Sequence, residues 1–135
     1  IWGGKRLESR ITFDTEAKAG YIYLLADSET YTIQATEDVG DSPLLVDIDE
    51  HDRIVGIECF GEIAQRLSPI AGEEKIYHEN GETLSFRLSG QAVKKHYLLK
   101  GIQFYFADEQ SKYFIGFDII DFHKYKKQIL KSMVK

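Results

Sequence analysis

Polar and apolar residues alternate along most of this chain, a period of two that builds strands with one buried face. Residues 10–14 (RITFD) alternate cleanly, and 21–25 (YIYLL) are β-branched and aromatic. Residues 31–37 (YTIQATE) alternate through Thr. Residues 44–49 (LLVDID) and 54–60 (IVGIECF) flank the polar stretch 50–53, the pattern of a hairpin. The period then changes. Residues 61–67 (GEIAQRL) suit a short helix, stopped by Ser68-Pro69.

After Ala71-Gly72 the order returns. Residues 75–79, 83–88, 92–99, 102–107 and 113–120 read as five more strands. Asn80-Gly81 between the first two predicts a type I′ hairpin turn, in which both central residues need positive φ. From Asp121 the spacing predicts a closing amphipathic helix. Phe122, Tyr125, Ile129 and Met133 form its apolar stripe, with Leu130 beside it and Lys124, Lys127, Lys131 and Lys135 opposite.

The halves can be laid over each other. Ile11 falls on Ile76, Asp14 on Glu79, Tyr23 on Phe86 and Leu25 on Leu88. Val46 and Ile48 fall on Phe104 and Phe106, and IVGIECF meets FIGFDII with Gly56 on Gly116 and Glu58 on Asp118. This overlay reads as an internal duplication. The expected fold is α+β and β-rich. Two tandem antiparallel β-meander units of about five strands each end in a helix, the second helix longer. They make one domain from an acidic unit, 10–68, and a diverged basic-leaning unit, 74–135. No crossover helix separates successive strands, which argues against a parallel α/β sheet.

Composition narrows the class. The 135 residues are 43% hydrophobic and 13% aromatic, enough to bury a core without staples and too apolar for a disordered chain. A single Cys excludes an intramolecular disulfide framework and fits a reducing, cytoplasmic setting. No apolar run exceeds six residues, too short to span a membrane as a helix. No signal peptide is visible, and Ile1 in place of Met points to a trimmed or renumbered start. The net charge of −5 divides unevenly. Residues 1–68 hold 14 acidic and 6 basic side chains, and residues 69–135 hold 8 acidic and 11 basic. The overall acidity speaks against a general nucleic-acid binder.

Several motifs in the first half form a set: Ile11-Thr12-Phe13-Asp14, Tyr21-Ile22-Tyr23-Leu24, Thr36-Glu37, Val46-Asp47-Ile48-Asp49 and Ile54-Val55-Gly56-Ile57-Glu58. Through these, residues 10–67 resemble the YuzE-like family of small bacterial proteins of unknown function. The second half looks like a diverged copy, with Ala107 where Asp49 stands and no counterpart of the Asp47 charge. The resemblance implies a compact β-rich fold and brings no established activity, substrate or catalytic residue.

Candidate chemistry rests on carboxylates. Asp47, Asp49 and Asp52, with His51 between them and Glu58 eleven residues after Asp47, have part of the oxygen spacing of a calcium loop. Asp52 stands where that loop needs Gly, and the flanks are strands. A weak divalent-cation site and a solvated hairpin tip therefore stand as alternatives. Glu58 and Asp118 each follow a Gly by two residues on the same strand face, where a carboxylate can line a shallow pocket. The four His are scattered, and Cys59 sits in an apolar strand as a buried thiol. Gly3-Gly4 lacks the rest of a phosphate loop. No catalytic residue, metal or cofactor is assigned. Aromatics interleaved with Lys94, Lys95, Lys100 and Lys112 would suit base stacking, yet core packing explains them better.

The sequence thus points to a non-catalytic protein-binding module, an antitoxin- or immunity-like partner whose acidic first half meets a basic protein. A small-molecule or divalent-metal-dependent enzyme using Asp47, Asp49, Asp52, Glu58 or Asp118 is the alternative. Homo-oligomers through exposed strand edges are a third expectation. No membrane partner is expected.

Overall fold

The most apolar segment of each half becomes the strand that others surround. In the computed structural model, which describes residues 9–135, ten strands form two five-stranded antiparallel sheets. The first holds β1 (Ile11–Asp14), β2 (Ala19–Tyr23), β3 (Ile33–Asp38), β4 (Leu45–Asp49) and β5 (Ile54–Phe60). The second holds β6 (His78–Asn80), β7 (Thr83–Arg87), β8 (Lys95–Leu99), β9 (Ile102–Phe106) and β10 (Phe114–Ile119). Both share one order, β1-β2-β5-β4-β3 and β6-β7-β10-β9-β8. The last strand of each set is central, so IVGIECF and FIGFDI are paired on both sides.

Registers give each sheet an inner row. Ile22, Ile57 and Val46 stand abreast in the first, and Phe86, Phe117 and Phe104 in the second. All six are buried in one hydrophobic cluster that draws on both sheets. The second sheet fills its share with rings: Phe117 lies 5.3 Å from Phe86, 6.2 Å from Phe104 and 6.0 Å from Tyr77 between centroids.

These registers correct the overlay in the first two strands by one residue. Ile22 occupies the place of Phe86, because both face the core opposite Ile57 and Phe117. Tyr23 stands opposite Gly56 as Arg87 stands opposite Gly116. Tyr21 and Tyr23 belong to the outer face, so Tyr23 does not share the inward place of Phe86. The β6–β7 turn also shifts. Asn80 pairs with Thr83, leaving Gly81-Glu82 as the turn with only Gly81 at positive φ (63°), as in turns that take Gly first.

Each sheet is followed by a short helix, α1 (Gly61–Gln65) and α2 (Lys127–Leu130), and then a 3₁₀ turn. The expected longer closing helix is therefore absent. The Asp121 carboxylate accepts hydrogen bonds from the backbone N–H groups of His123 and Lys124 and closes a turn there. Lys126 is extended (φ −64°, ψ 134°), which ends any helix before α2. The apolar stripe survives without the helix: Tyr125, Leu130 and Met133 are buried. Residues 133–135 run on beside Tyr77, with backbone bonds of 2.8–3.0 Å.

Candidate functional site

The outer face of the first sheet carries a polar cluster that cross-strand register assembles. Tyr23, Gly56, Asp47 and Thr36 stand in one row, and Tyr21, Glu58 and Leu45 in the next. Tyr21 lies diagonally over Gly56, where a Cβ would meet its hydroxyl at 1.7 Å. The missing side chain lets the Tyr21 hydroxyl donate to Asp47 Oδ2 at 2.8 Å, while Thr36 donates to Oδ1 at 2.7 Å. Asp47 is thereby buried and satisfied, as a carboxylate away from water requires. Burial, then the hydrogen bond to Asp47, keeps the Tyr21 phenol protonated far above its ordinary range. Grooves of about 310 Å³ (Thr12, Phe13, Tyr21, Glu58, Phe60) and about 420 Å³ (Arg10, Thr12, Tyr23, Tyr31) flank the cluster.

Glu58 is the neighbour of Asp47. Partial burial first, then the hydrogen bond to Asp47 and its charge, raise the Glu58 pKa above 4.5. The folded state therefore holds this proton more tightly than the unfolded chain. Its contribution to stability is full below the unfolded pKa and falls as pH rises through the folded one. Replacing Glu58 with Gln keeps a donor toward Asp47 and removes that slope. The E58Q variant is expected to melt above the parent at pH 7, with the gap closing by pH 4, in parallel thermal scans.

The second sheet uses the same ladder differently. Asp118 is buried at the position of Glu58, and Tyr105 stands at that of Asp47. Tyr105 donates to Asp118 Oδ2 at 2.7 Å, and Arg87 Nη1 reaches Oδ1 at 2.9 Å and lies over the Tyr105 ring. Burial opposes ionisation of Asp118, but Arg87, Ser85 and Tyr105 outweigh it and hold the pKa below the ordinary value. Burial chiefly pushes Tyr105 up to about 12. Asp118 thus stabilises above the unfolded carboxylate range and loses that contribution as pH falls, the reverse of Glu58.

The five candidate carboxylates do not meet in one place. Asp47 and Glu58 adjoin. Asp49 is buried and spent on the β4–β5 hairpin, accepting from the backbone of His51 and Arg53 and pairing with the Arg53 guanidinium at 2.9 Å. Asp52, at the exposed tip with φ 62°, pairs with Lys100 and Lys124 at 2.9 and 3.1 Å, tying the first sheet's hairpin to the second unit. Asp118 belongs to the other sheet. Among the described residues no group of three or more His, Cys, Asp or Glu is placed to hold a metal ion. Adding millimolar Ca²⁺, Mg²⁺ or Mn²⁺ is accordingly expected to leave Tm unchanged, since a ligand of useful affinity must raise it. Cys59 is buried, and burial pushes its thiol up to about 12. Phe104, Phe106, Phe114 and Phe117 lie in the core, so they offer no stacking face. Gly3-Gly4 lies outside the described residues.

Tyr21 escaped the sequence reading. Its signal was the YIY triplet opposite a Gly: two phenols on the face away from Ile22, with an empty position between them and Asp47.

A second feature is an edge. β3 pairs only with β4 and is exposed at all six positions, with Ile33 49% exposed. Among the described residues neither its Glu37 and Asp38 nor the nearby Asp41 makes an ion pair. The edges on the other flank are better occupied. Arg10 and Ile11 bond to Glu73 and Gly72, and Tyr77, ahead of the three-residue β6, bonds to Met133 and Lys135. Proteins commonly guard a long edge with Lys, Pro or a cover. Among the described residues β3 has none of these, only its two acids and a bulge between Ile33 and Ala35.

Residues 10–62 match the family model described as a protein of unknown function, DUF2283. Over 110 residues the chain is 33% identical to the uncharacterized protein YuzE of Bacillus subtilis (strain 168), covering 81% of this chain and 85% of that protein. The family model spans the first sheet, and the longer alignment runs on into the second, further than the motifs in residues 10–67 indicated. No solved structure matches.

Proposed function

We propose that this chain, which belongs to the YuzE-like family of unknown function (DUF2283), is a non-catalytic protein-binding module that meets a basic protein through the β3 edge. One observation carries this reading: a six-residue edge strand, exposed throughout, whose Glu37 and Asp38 make no ion pair among the described residues. A free edge offers backbone hydrogen bonds to an extended segment, and its side chains select which segment. Acidic positions select a basic one and speed its approach. An antitoxin- or immunity-like role fits such a surface.

The test is capture from the native host at low and moderate salt, with wild type and E37K/D38K as paired baits. A basic protein retained by wild type and lost by the variant supports the reading. Equal capture by both baits, or none by either, removes it.

The alternative is a small-molecule or divalent-metal-dependent enzyme built on strand carboxylates. It draws on Glu58 at the wall of the 310 Å³ groove with Asp47 behind it. A rise in Tm with a divalent cation would support its metal-dependent form.

A further inference from the structure

The β3 and β8 edges, uncovered among the described residues, share one flank and differ in charge. Tyr97 of β8 packs its ring against Gly40, just past β3, where a Cβ would lie 2.1 Å from Tyr97 Cε1. Its hydroxyl sits 3.4 Å from the Asp41 amide. Three residues on, Lys100 comes within electrostatic reach of Glu37. Numbers rise along β8 while they fall along β3, so the edges run antiparallel at the same side of the paired sheets. β3 presents Glu37 and Asp38. β8 presents Lys95, with exposed Lys94 just ahead of it, and neither Lys makes an ion pair among the described residues. Exposed apolar side chains lie here too: Ile33 on β3, Leu98 on β8 (62% exposed) and Val93 beside it.

We infer that this flank pairs with a second copy of the chain, each acidic β3 edge joining the basic β8 edge of the other. Half a turn about an axis parallel to the strands places the copies so. The rotation exchanges the two sheets and keeps each residue's level along the strand. β3 of one copy then lies antiparallel to β8 of the other, and the same contact is made twice, as a closed dimer requires. Both five-stranded sheets continue across the join, Glu37 comes level with Lys100 of the other copy, and no long edge stays open. Pairing β3 with β3 would instead bring acid beside acid.

The inference rests on reading β3 as an acidic docking edge and names its occupant. A foreign basic strand would compete for the same edge, so partner binding and self-pairing exclude one another.

Light scattering on the purified chain tests it with two charge-reversed variants. E37K/D41K reverses the acids that come level with Lys100 and nearest Lys95 of the other copy, and K95E/K100E reverses those lysines. Wild type is expected at twice 15.5 kDa, with each variant alone monomeric at the same concentration. A weakening of about tenfold or more is expected from like charges set together. An equimolar mixture of the variants is expected to recover the dimer, because each then offers the edge the other lacks. Recovery also shows that both variants are folded.

A wild-type monomer at high concentration, or variants that dimerise as well as wild type, overturns the inference. So does a mixture that stays monomeric while circular dichroism shows both variants folded. A monomeric wild type that still loses its captured basic partner on E37K/D38K substitution would overturn self-pairing and leave the binding reading standing.

Discussion

Replacing Gly116 with alanine is expected to destabilise the protein by about 4 kcal/mol or more, the exceptional end for a single substitution. Two effects combine. Gly116 has φ 154°, a region in which a side chain strains the backbone by about 1–3 kcal/mol. Its added Cβ would also stand 2.1 Å from the Phe86 carbonyl oxygen and 2.9 Å from Arg87 Cα. Those are backbone atoms of the neighbouring strand, so the β7–β10 ladder itself must part. Gly56 provides the contrast. There the three atoms nearest the Cβ all belong to the Tyr21 side chain, which can swing away at the loss of its bond to Asp47. G56A is expected to lose about 1–3 kcal/mol, the penalty for weakening a buried polar partnership. Urea denaturation of both variants measures the difference. A G116A variant no less stable than G56A would show that the bulge at Gly116 relaxes without resistance.

Removing the Tyr125 side chain is expected to have the other large effect, about 3–5 kcal/mol for Tyr125→Ala. The ring is fully buried among residues of the common core. Its hydroxyl accepts from the Ile54 amide at 2.8 Å and donates to the Lys100 carbonyl at 2.8 Å, so one atom staples the β4–β5 hairpin to the β8–β9 turn. Tyr125→Phe separates the parts. It keeps the ring and strands both backbone groups, and is expected to lose about 1–3 kcal/mol. If Y125F were neutral, water would be satisfying Ile54 and Lys100 in place of the hydroxyl.

Tyr125 also marks where sequence reading stops. Its place on an apolar stripe was legible from spacing, because Phe122, Tyr125, Ile129 and Met133 recur at helical intervals. That the segment turns at Asp121 and extends at Lys126 was not. The turn comes from a short-range carboxylate bond, and Tyr125 is fixed by amide and carbonyl groups 71 and 25 residues away. The strands were legible for the opposite reason. Period-two alternation is a local property, and all ten predicted strands have a counterpart. Strand order was not local: β5 and β10 become central because their apolar runs gain most from pairing on both sides.

The candidate carboxylates divide the same way. Gly56 and Gly116 stood out because they match between the halves and leave an empty position beside Glu58 and Asp118. The sequence could not show that Tyr21 fills one space and backbone the other. Nor could it show that Asp49 and Asp52 are consumed by Arg53, Lys100 and Lys124. The division of charge between the halves has a structural counterpart as well. Part of it is satisfied internally at Asp52, and part is displayed on two strand edges at one flank.

Amide hydrogen exchange as a function of protein concentration tests most directly whether the β3 edge is a docking strand. Residues 33–38 and 95–99 are expected to gain protection together as concentration rises, with β1 and β6 unchanged. A saturating basic partner is expected to protect 33–38 alone. Exchange in 33–38 that stays fast at every concentration and with every captured partner would contradict the account.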